Sequence, residues 1–444
     1  MPAAGGGQAA PGPGHGGECS SPADPGVILD SVRALVRRRV DVERGRSDAP
    51  EWMRGASASA PLQDRLTVLL TTSATRSNPS TALIEAVLGT FPFCPGLEQC
   101  RLVVVCDGCN VKQDHEIQGR GVKALYRGGM VPGEQGLSDY AEYKTRLRRI
   151  CGDAGRFPGG AAVVELDTRH GFGLAVRAGL AHVSTPYVMV VQHDRNFARP
   201  FDVAGLVDAV AADAAIKMAA LLNTSMADHA RRVHGRIGGT MPVSPAEWFA
   251  WAGAERRVPA AAHLRFRPLA YWLDSTHVCP TEHYRSFVLG GGSGPEGKIK
   301  RGGFIEDKLG QLQIKELRRD GPGSHARHGT YIVDDGREPE DVLARHFDGG
   351  AFELGNGYKH FPGSLWSPDA AFCGPCRGLR DAVVAQSGFA TGARGRGGER
   401  GGAADAGSSD DEAPGGAGAA GGACGGGEGL CVGCGGRLEC AQAC

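Results

Sequence analysis

Two aspartates in this chain follow short runs of branched apolar residues. Asp107 comes after LVVVC at 102–106, and Asp194 follows YVMVVQH at 187–193. Continuous apolar runs of this length bounded by turn residues read as buried strands. An open α/β sheet binds its ligands outside the carboxyl ends of such strands. The second run closes on Gln192-His193-Asp194, a neutral amide and a carboxylate two positions apart. A third acidic site, Glu306-Asp307, comes after GGGSGPEGKIKRGG at 290–303 and opens the pattern IEDKLGQLQIKEL. There a helix dipole would stabilise a carboxylate. Ionised carboxylates in such places can ligate a hard divalent cation or take a proton as general base. Each also has a plainer reading. Asp107-Gly108 fits a turn, Asp194-Arg195 an ion pair at a strand end, and Glu306-Asp307 an acidic first helical turn.

The elements that must position these groups follow from periodicity. LTVLLTT at 66–72 predicts a first strand ending at Thr71, Thr72 and Ser73. Leu83, Ile84, Val87 and Leu88 give a helical face after Asn78-Pro79-Ser80, which reads as a helix start. Residues 102–108 predict the second strand, 139–150 a helix, 161–166 a third strand and 187–191 a fourth. Residues 201–212 read as a helix, 217–222 and 330–336 as later strands, and 266–288 mixes strand and loop signals. Alternating strands and helices predict an α/β fold, a Rossmann-type, mostly parallel sheet with helices on both faces.

Composition bounds the rest. Residues 1–26 and 388–444 are dominated by Gly, Ala and Pro and hold too little apolar surface to offset chain entropy. The expected organisation is a disordered 1–26, a helix and linker at 27–61, one domain at 62–366, and a disordered Gly/Cys-rich tail at 367–444. About 300 residues suffice for one large core. Lys+Arg and Asp+Glu are equal at 49 each, which gives no electrostatic case for a nucleic-acid partner. No apolar run is long enough for a transmembrane helix. The amino terminus lacks a secretory signal's basic start and apolar core. A cytoplasmic protein is therefore expected, with Golgi or membrane association the alternative if the amino terminus is incomplete. In 27–43, Ile28, Val32, Leu35, Val36 and Val40 recur near the helical period with arginines interleaved. Such a helix could touch a membrane surface, but packing on its own domain is expected. Of the 14 cysteines, those within the domain are expected to be small core residues or free thiols. The pairs Cys373/Cys376 and Cys431/Cys434 have zinc-knuckle spacing, but no apolar scaffold joins them, and an incidental cysteine-rich tail is expected.

The stretch AAVVELDTRHGFGLAVRAGLAHVSTPYVMVVQHD at 161–194 resembles family-2 glycosyltransferases of the GT-A fold. In that family a small-residue helix leads into a strand ending in an Asp-x-Asp metal motif. Here the motif reads Gln192-His193-Asp194, so only the last carboxylate is retained. The resemblance runs from about Leu66 to Phe347 and implies a set of roles. Thr71, Thr72, Ser73, Asp107, Arg169 and Gln192 would bind a nucleotide-diphosphate sugar, uridine or guanosine. His170 and Gly171 share the Arg169 loop. Asp194 would hold Mg²⁺ or Mn²⁺, joined by a late histidine, His346 or His360. Asp307 would be the general base of an inverting transfer and Glu306 its neighbour in binding an unknown glycan, lipid or protein acceptor. Tyr271, Trp272, Asp274 and His277 form a cluster that could stack on a sugar, though a core role is expected. A sugar-1-phosphate nucleotidyltransferase would need a Gly-rich basic loop after the first strand, and TTSATRSNPST at 71–81 has one Arg and no Gly. The loss of the first carboxylate keeps open a non-catalytic nucleotide- or glycan-binding protein.

Overall fold

The computed structural model describes residues 25–54, 60–113, 125–126, 128–223, 226, 229–237, 242–290, 299–337 and 342–346. These belong to the first of two units, Met1–Thr391; the second, Gly392–Cys444, lies outside them. The expectations for 1–24 and 347–444, including His360, Cys19 and the tail cysteines, also fall outside the described residues.

The described residues form twelve strands: β1 Leu66–Thr72, β2 Arg101–Cys106, β3 Asn110–Lys112, β4 Met130–Pro132, β5 Ala161–Glu165 and β6 Tyr187–Gln192, then β7 Arg195–Phe197, β8 Met218–Leu221, β9 Arg265–Pro268, β10 His277–Pro280, β11 Thr330–Asp334 and β12 Ala344–His346. Eight form one sheet in the order β5-β2-β1-β6-β10-β8-β11-β9. β5, β2, β1 and β6 are mutually parallel. β10 runs against both β6 and β8, which sets β8 and its parallel partner β11 in the direction of β6. β9 closes the sheet antiparallel to β11. The result is a Rossmann-type, mostly parallel α/β sheet. Every residue of β1 is buried, and β2 is buried after its first residue, as expected of strands covered on both faces.

Helices cover both faces. Gly133–Cys151 follows β4, Phe172–Leu180 connects β5 to β6, and Val203–Ala212 precedes β8. Asp202 caps the last of these by accepting from the Gly205 amide at 2.8 Å. The helix expected to start at Asn78-Pro79-Ser80 instead starts at Ala82, because 76–79 form a turn.

The basic amphipathic helix, Val27–Arg44, packs on its own fold: Ile28, Leu29, Val32, Leu35, Val36 and Val40 are buried. A Cβ on Gly89 would lie 2.5 Å from Val32 Cβ, so this glycine allows the helix Ala82–Gly89 to approach closely. Glu85 accepts from the Leu29 amide at 3.0 Å, and Arg33 pairs with Glu98 at 3.2 Å. Cys94, Cys100, Cys106, Cys109, Cys151 and Cys279 are free thiols, all buried except half-buried Cys109. Burial pushes the Cys100 and Cys151 thiols up to about 12, which makes them inert at neutral pH. Among the described residues no helix is long and apolar enough to cross a membrane.

Candidate active site

The carboxyl ends of β2, β1 and β6 lie level with one another, Cys106 beside Thr72 and Thr71 beside Gln192. That shared edge carries Thr71, Thr72 and Gln192, with Ser73, Asp107 and Asp194 just beyond it in the chain. Thr72 Oγ1 lies 2.8 Å from both Tyr143 OH and His193 Nδ1. The Ser73 amide donates to the same His193 nitrogen at 3.3 Å. His193, given no role from sequence, thus joins the β1 and β6 ends. Burial lowers its pKa, and it acts here as a neutral acceptor.

Asp107, at the β2 end, is buried and holds a loop. Its Oδ1 accepts from the His170 amide at 2.7 Å and its Oδ2 from the Gly171 amide at 2.8 Å. Its main-chain carbonyl accepts from Tyr140 OH at 2.6 Å. Each carboxylate oxygen keeps one further lone-pair direction for a ligand. Gly171 has φ +83° and ψ 165°, a region essentially closed to other residues, and a Cβ there would lie 2.4 Å from Gly302 Cα. The Gly302 amide donates to His170 O at 2.6 Å, and Arg301 Nη1 donates to Thr168 Oγ1 at 2.9 Å. The segment 299–303 therefore lies across the 168–173 loop. Arg169 is packed beside the same glycines: Cβ atoms on Gly129 and Gly302 would lie 2.2 and 2.8 Å from its guanidinium.

At the β6 end, Asp194 Oδ2 lies 2.9 Å from His346 Nε2. β12 pairs antiparallel with β7, setting His346 opposite Arg195. The Asp194 side chain is 17% exposed and that of His346 45%. Burial pushes the Asp194 carboxyl up, but the hydrogen bond and charge of His346, with His193 and Arg195 nearby, outweigh it and hold the carboxyl well below the usual range. Asp194 Oδ1 is buried without a hydrogen-bond partner. A buried orphan oxygen on an ionised carboxylate fits a divalent cation that completes its shell with water and phosphate oxygens, and His346 would join it once Nε2 gives up the proton it shares with Asp194. No cluster of three or more His, Cys, Asp or Glu suited to a metal exists among the described residues. Gln192 does not face this pair with its amide nitrogen. It donates to the main-chain carbonyl of Asp274 at 2.5 Å.

Glu306-Asp307 opens a helix, as the pattern predicts, but the first turn is a π-helix, Glu306–Gly310, continued by the α-helix Gln311–Asp320. Asp307 is exposed, and its Oδ2 accepts from the Phe304 amide at 3.3 Å. Glu306 faces inward: its Oε2 accepts from the Asp274 amide at 3.1 Å, and its own amide donates to Asp274 Oδ2 at 3.1 Å. Tyr271, Trp272, Asp274 and His277 are all buried, as expected of a core cluster. Trp272 Nε1 donates to Asp274 Oδ1 at 3.0 Å, and the Trp272 ring meets His277 edge-on with centroids 5.2 Å apart. The link from Gln192 through Asp274 to Glu306 has no local sequence signal, because its members lie 82 and 32 positions apart.

No protein-family model and no curated protein sequence matches the chain. Solved structures similar to it are nucleotide-sugar glycosyltransferases. The mannosyltransferase PcManGT of Pyrobaculum calidifontis, in complex with GDP-Man and Mn²⁺, is 15% identical over 58% of this chain and 57% of that one, with a TM-score of 0.29. TarS of S. aureus with UDP-GlcNAc is 12% identical over 63% and 58%, with a TM-score of 0.30. Glucosyl-3-phosphoglycerate synthase of Mycobacterium tuberculosis, with Mn²⁺, UDP and glucosyl-3-phosphoglycerate, is 14% identical over 77% and 87%, at 0.32. The match thus spans somewhat over half the length of the first two. The fold itself is GT-A-like, a description that rests on the order and direction of the strands given above.

Proposed function

We propose that this chain is a metal-assisted glycosyltransferase that moves a sugar from a nucleoside diphosphate to an acceptor hydroxyl with inversion. The observation that carries it is the Asp194–His346 pair, with its orphan carboxylate oxygen, at the edge where β1, β2 and β6 end. A nucleotide would lie along Thr71–Ser73 and Asp107. Arg169, whose guanidinium lies against Gly129 and Gly302, would face the diphosphate with a positive charge. Asp194 and His346 would hold Mg²⁺ or Mn²⁺, which when bound supplies Lewis-acid charge to the diphosphate oxygens.

Asp307 is the proposed base. As the acceptor oxygen bonds to the anomeric carbon, its proton passes to the Asp307 carboxylate. The bond from that carbon to the phosphate oxygen breaks, and its electron pair leaves on the nucleoside diphosphate. One displacement inverts the centre. The Phe304 amide fixes the rotamer of Asp307 while leaving the side chain open to an incoming acceptor.

A second reading, a nucleotide- or glycan-binding protein without catalysis, is favoured by Gln192. Its amide is committed to Asp274 and brings no charge to a metal. Titrating the purified protein with UDP and GDP, with and without Mn²⁺, tests the shared donor site. Asp307→Ala separates the two readings: with a competent donor and acceptor, transfer should fall by about 10²–10⁴-fold while nucleotide binding persists. Undiminished transfer by this variant would remove Asp307 as base, and nucleotide binding without transfer by the wild type would favour the binder.

A further inference from the structure

Asp274 touches both halves of the site. Its carbonyl receives the Gln192 amide at 2.5 Å, two residues before Asp194. Its amide donates to Glu306 Oε2, and its Oδ2 accepts from the Glu306 amide, both at 3.1 Å. Its Oδ1 accepts from Trp272 Nε1 at 3.0 Å. The reciprocal pair with Glu306 closes a ring of hydrogen bonds just before the residue proposed as base. On the opposite side of the Asp274 turn, Trp272 packs edge-on to Tyr284 at 5.5 Å, and His277 stacks on Tyr284 at 5.7 Å. The helix is held close as well, since a Cβ on Gly310 would lie 3.0 Å from Trp272 O. Asp274 meets the sheet edge only through Gln192 and the helix start only through Glu306, so it acts through its neighbours.

We propose that Asp274 is a positioning residue which, through its carbonyl and its carboxyl together, sets the separation between the Gln192–Asp194 strand end and the Glu306–Asp307 helix start. The catalytic consequence rests on the glycosyl-transfer reading; the mechanical one does not. A buried residue that fixes two elements by three hydrogen bonds, one to Gln192 and two to Glu306, leaves them little freedom to drift, and a misplacement of about 1 Å can cost about 10²-fold in rate.

The carboxyl has a second consequence. Burial, then the nearby Glu306 charge, pushes Asp274 up to about 8 against the hydrogen bonds from Glu306 and Trp272. Tyr284, whose own pKa burial and the Asp274 charge raise further, and His277, kept neutral by burial, are the other titratable groups around it. At neutral pH Asp274 therefore holds a proton, and the two bonds that join it to Glu306 run from each residue's backbone amide to the other's side chain. Above about 8 Asp274 carries a charge beside that of Glu306, and their repulsion works against the two amide bonds that hold the pair together.

The test combines hydrogen exchange with kinetics on the full chain. Asp274→Ala should speed exchange across residues 303–311 and lower kcat by about tenfold or more, with Mn²⁺-dependent GDP or UDP affinity held within about twofold, because the donor-side residues are untouched. In a kcat profile from about pH 6 to about pH 10, the wild type should lose activity past about 8, and Asp274→Asn should lack that limb. Asp274→Asn carries both arms if the alanine variant fails to fold. Unchanged exchange across 303–311 overturns the proposal, as does an alkaline limb that persists in Asp274→Asn, or an equal loss of nucleotide affinity and kcat. Faster exchange in a protein whose wild type transfers nothing overturns the glycosyl-transfer reading and leaves the positioning role standing.

Discussion

Asp194 Oδ2 and His346 Nε2 lie 2.9 Å apart although 152 positions separate them in the chain. The three-residue strands β7 and β12 make this meeting possible, and Leu343 anchors β12 through its amide to Leu222 O at 2.8 Å.

If that pair holds the cation, Asp194→Ala abolishes Mn²⁺-dependent nucleotide binding, and His346→Ala weakens it by about 10-fold or more. Isothermal titration of GDP and UDP with and without Mn²⁺ reads both. Equal affinities in wild type and His346→Ala would exclude the histidine as a ligand.

Asp274 also makes stability depend on pH. Its folded pKa, about 8, lies above that of an unfolded aspartate, about 3.9. The folded state then binds more protons between those values. The contribution is fully present below the unfolded pKa and is lost as pH rises through about 8. The stability difference between wild type and Asp274→Asn should therefore shift against the wild type across this window. Urea unfolding at several pH values measures it; a constant difference from about pH 4 to about pH 9 would show that Asp274 titrates normally.

Arg199 and Asp335 form a two-pronged ion pair, Nη1–Oδ2 at 2.6 Å and Nη2–Oδ1 at 2.7 Å, with side chains only 6% and 9% exposed. Burial raises the Asp335 carboxyl, but the bonds and charge of Arg199 outweigh it and lower it overall. Removing Arg199 leaves the Asp335 charge buried with only the longer Arg337 contact, at 3.4 Å, so Arg199→Ala should destabilise the fold by up to about 3–5 kcal/mol. A loss below about 1 kcal/mol in denaturant titration would place this pair with ordinary surface ion pairs.

Gly171→Ala should be harmful out of proportion to its size. The backbone there has φ +83°, and the added carbon would meet the Gly302 backbone at 2.4 Å. Strain alone costs about 1–3 kcal/mol. Thermal unfolding should show that loss, and the GDP or UDP titration should show weaker binding, since the His170–Gly171 amides would leave Asp107. A variant with wild-type melting and affinity would mean that segment 299–303 shifts aside freely.

How far the sequence could be read depended on how local each signal was. β1, β2 and β6 were legible because strands covered on both faces are dense in branched apolar residues. The helix Val27–Arg44 was legible because one apolar stripe at helical spacing sufficed. The stretch 266–288 resisted because β9 and β10 are four residues each, lie two strands apart in the sheet, and share aromatics with the turn between them. β7 and β12 carry no pattern at three residues each. Asp107, Asp194 and His346 could be named from the chain, and the structure brings the last two together. The contacts of His193 and Gln192 could not be read, since each is set by a partner from a distant element.

The two amides that Asp107 holds have a kinetic corollary. The loop His170–Gly171 is held by the protein's own carboxylate, through both of its oxygens. A molecule arriving at this edge meets a surface already shaped, and the entropy of arranging that loop is absent from its binding free energy. Association should then follow simple second-order kinetics, without the plateau in observed rate that a slow loop closure imposes at high ligand concentration.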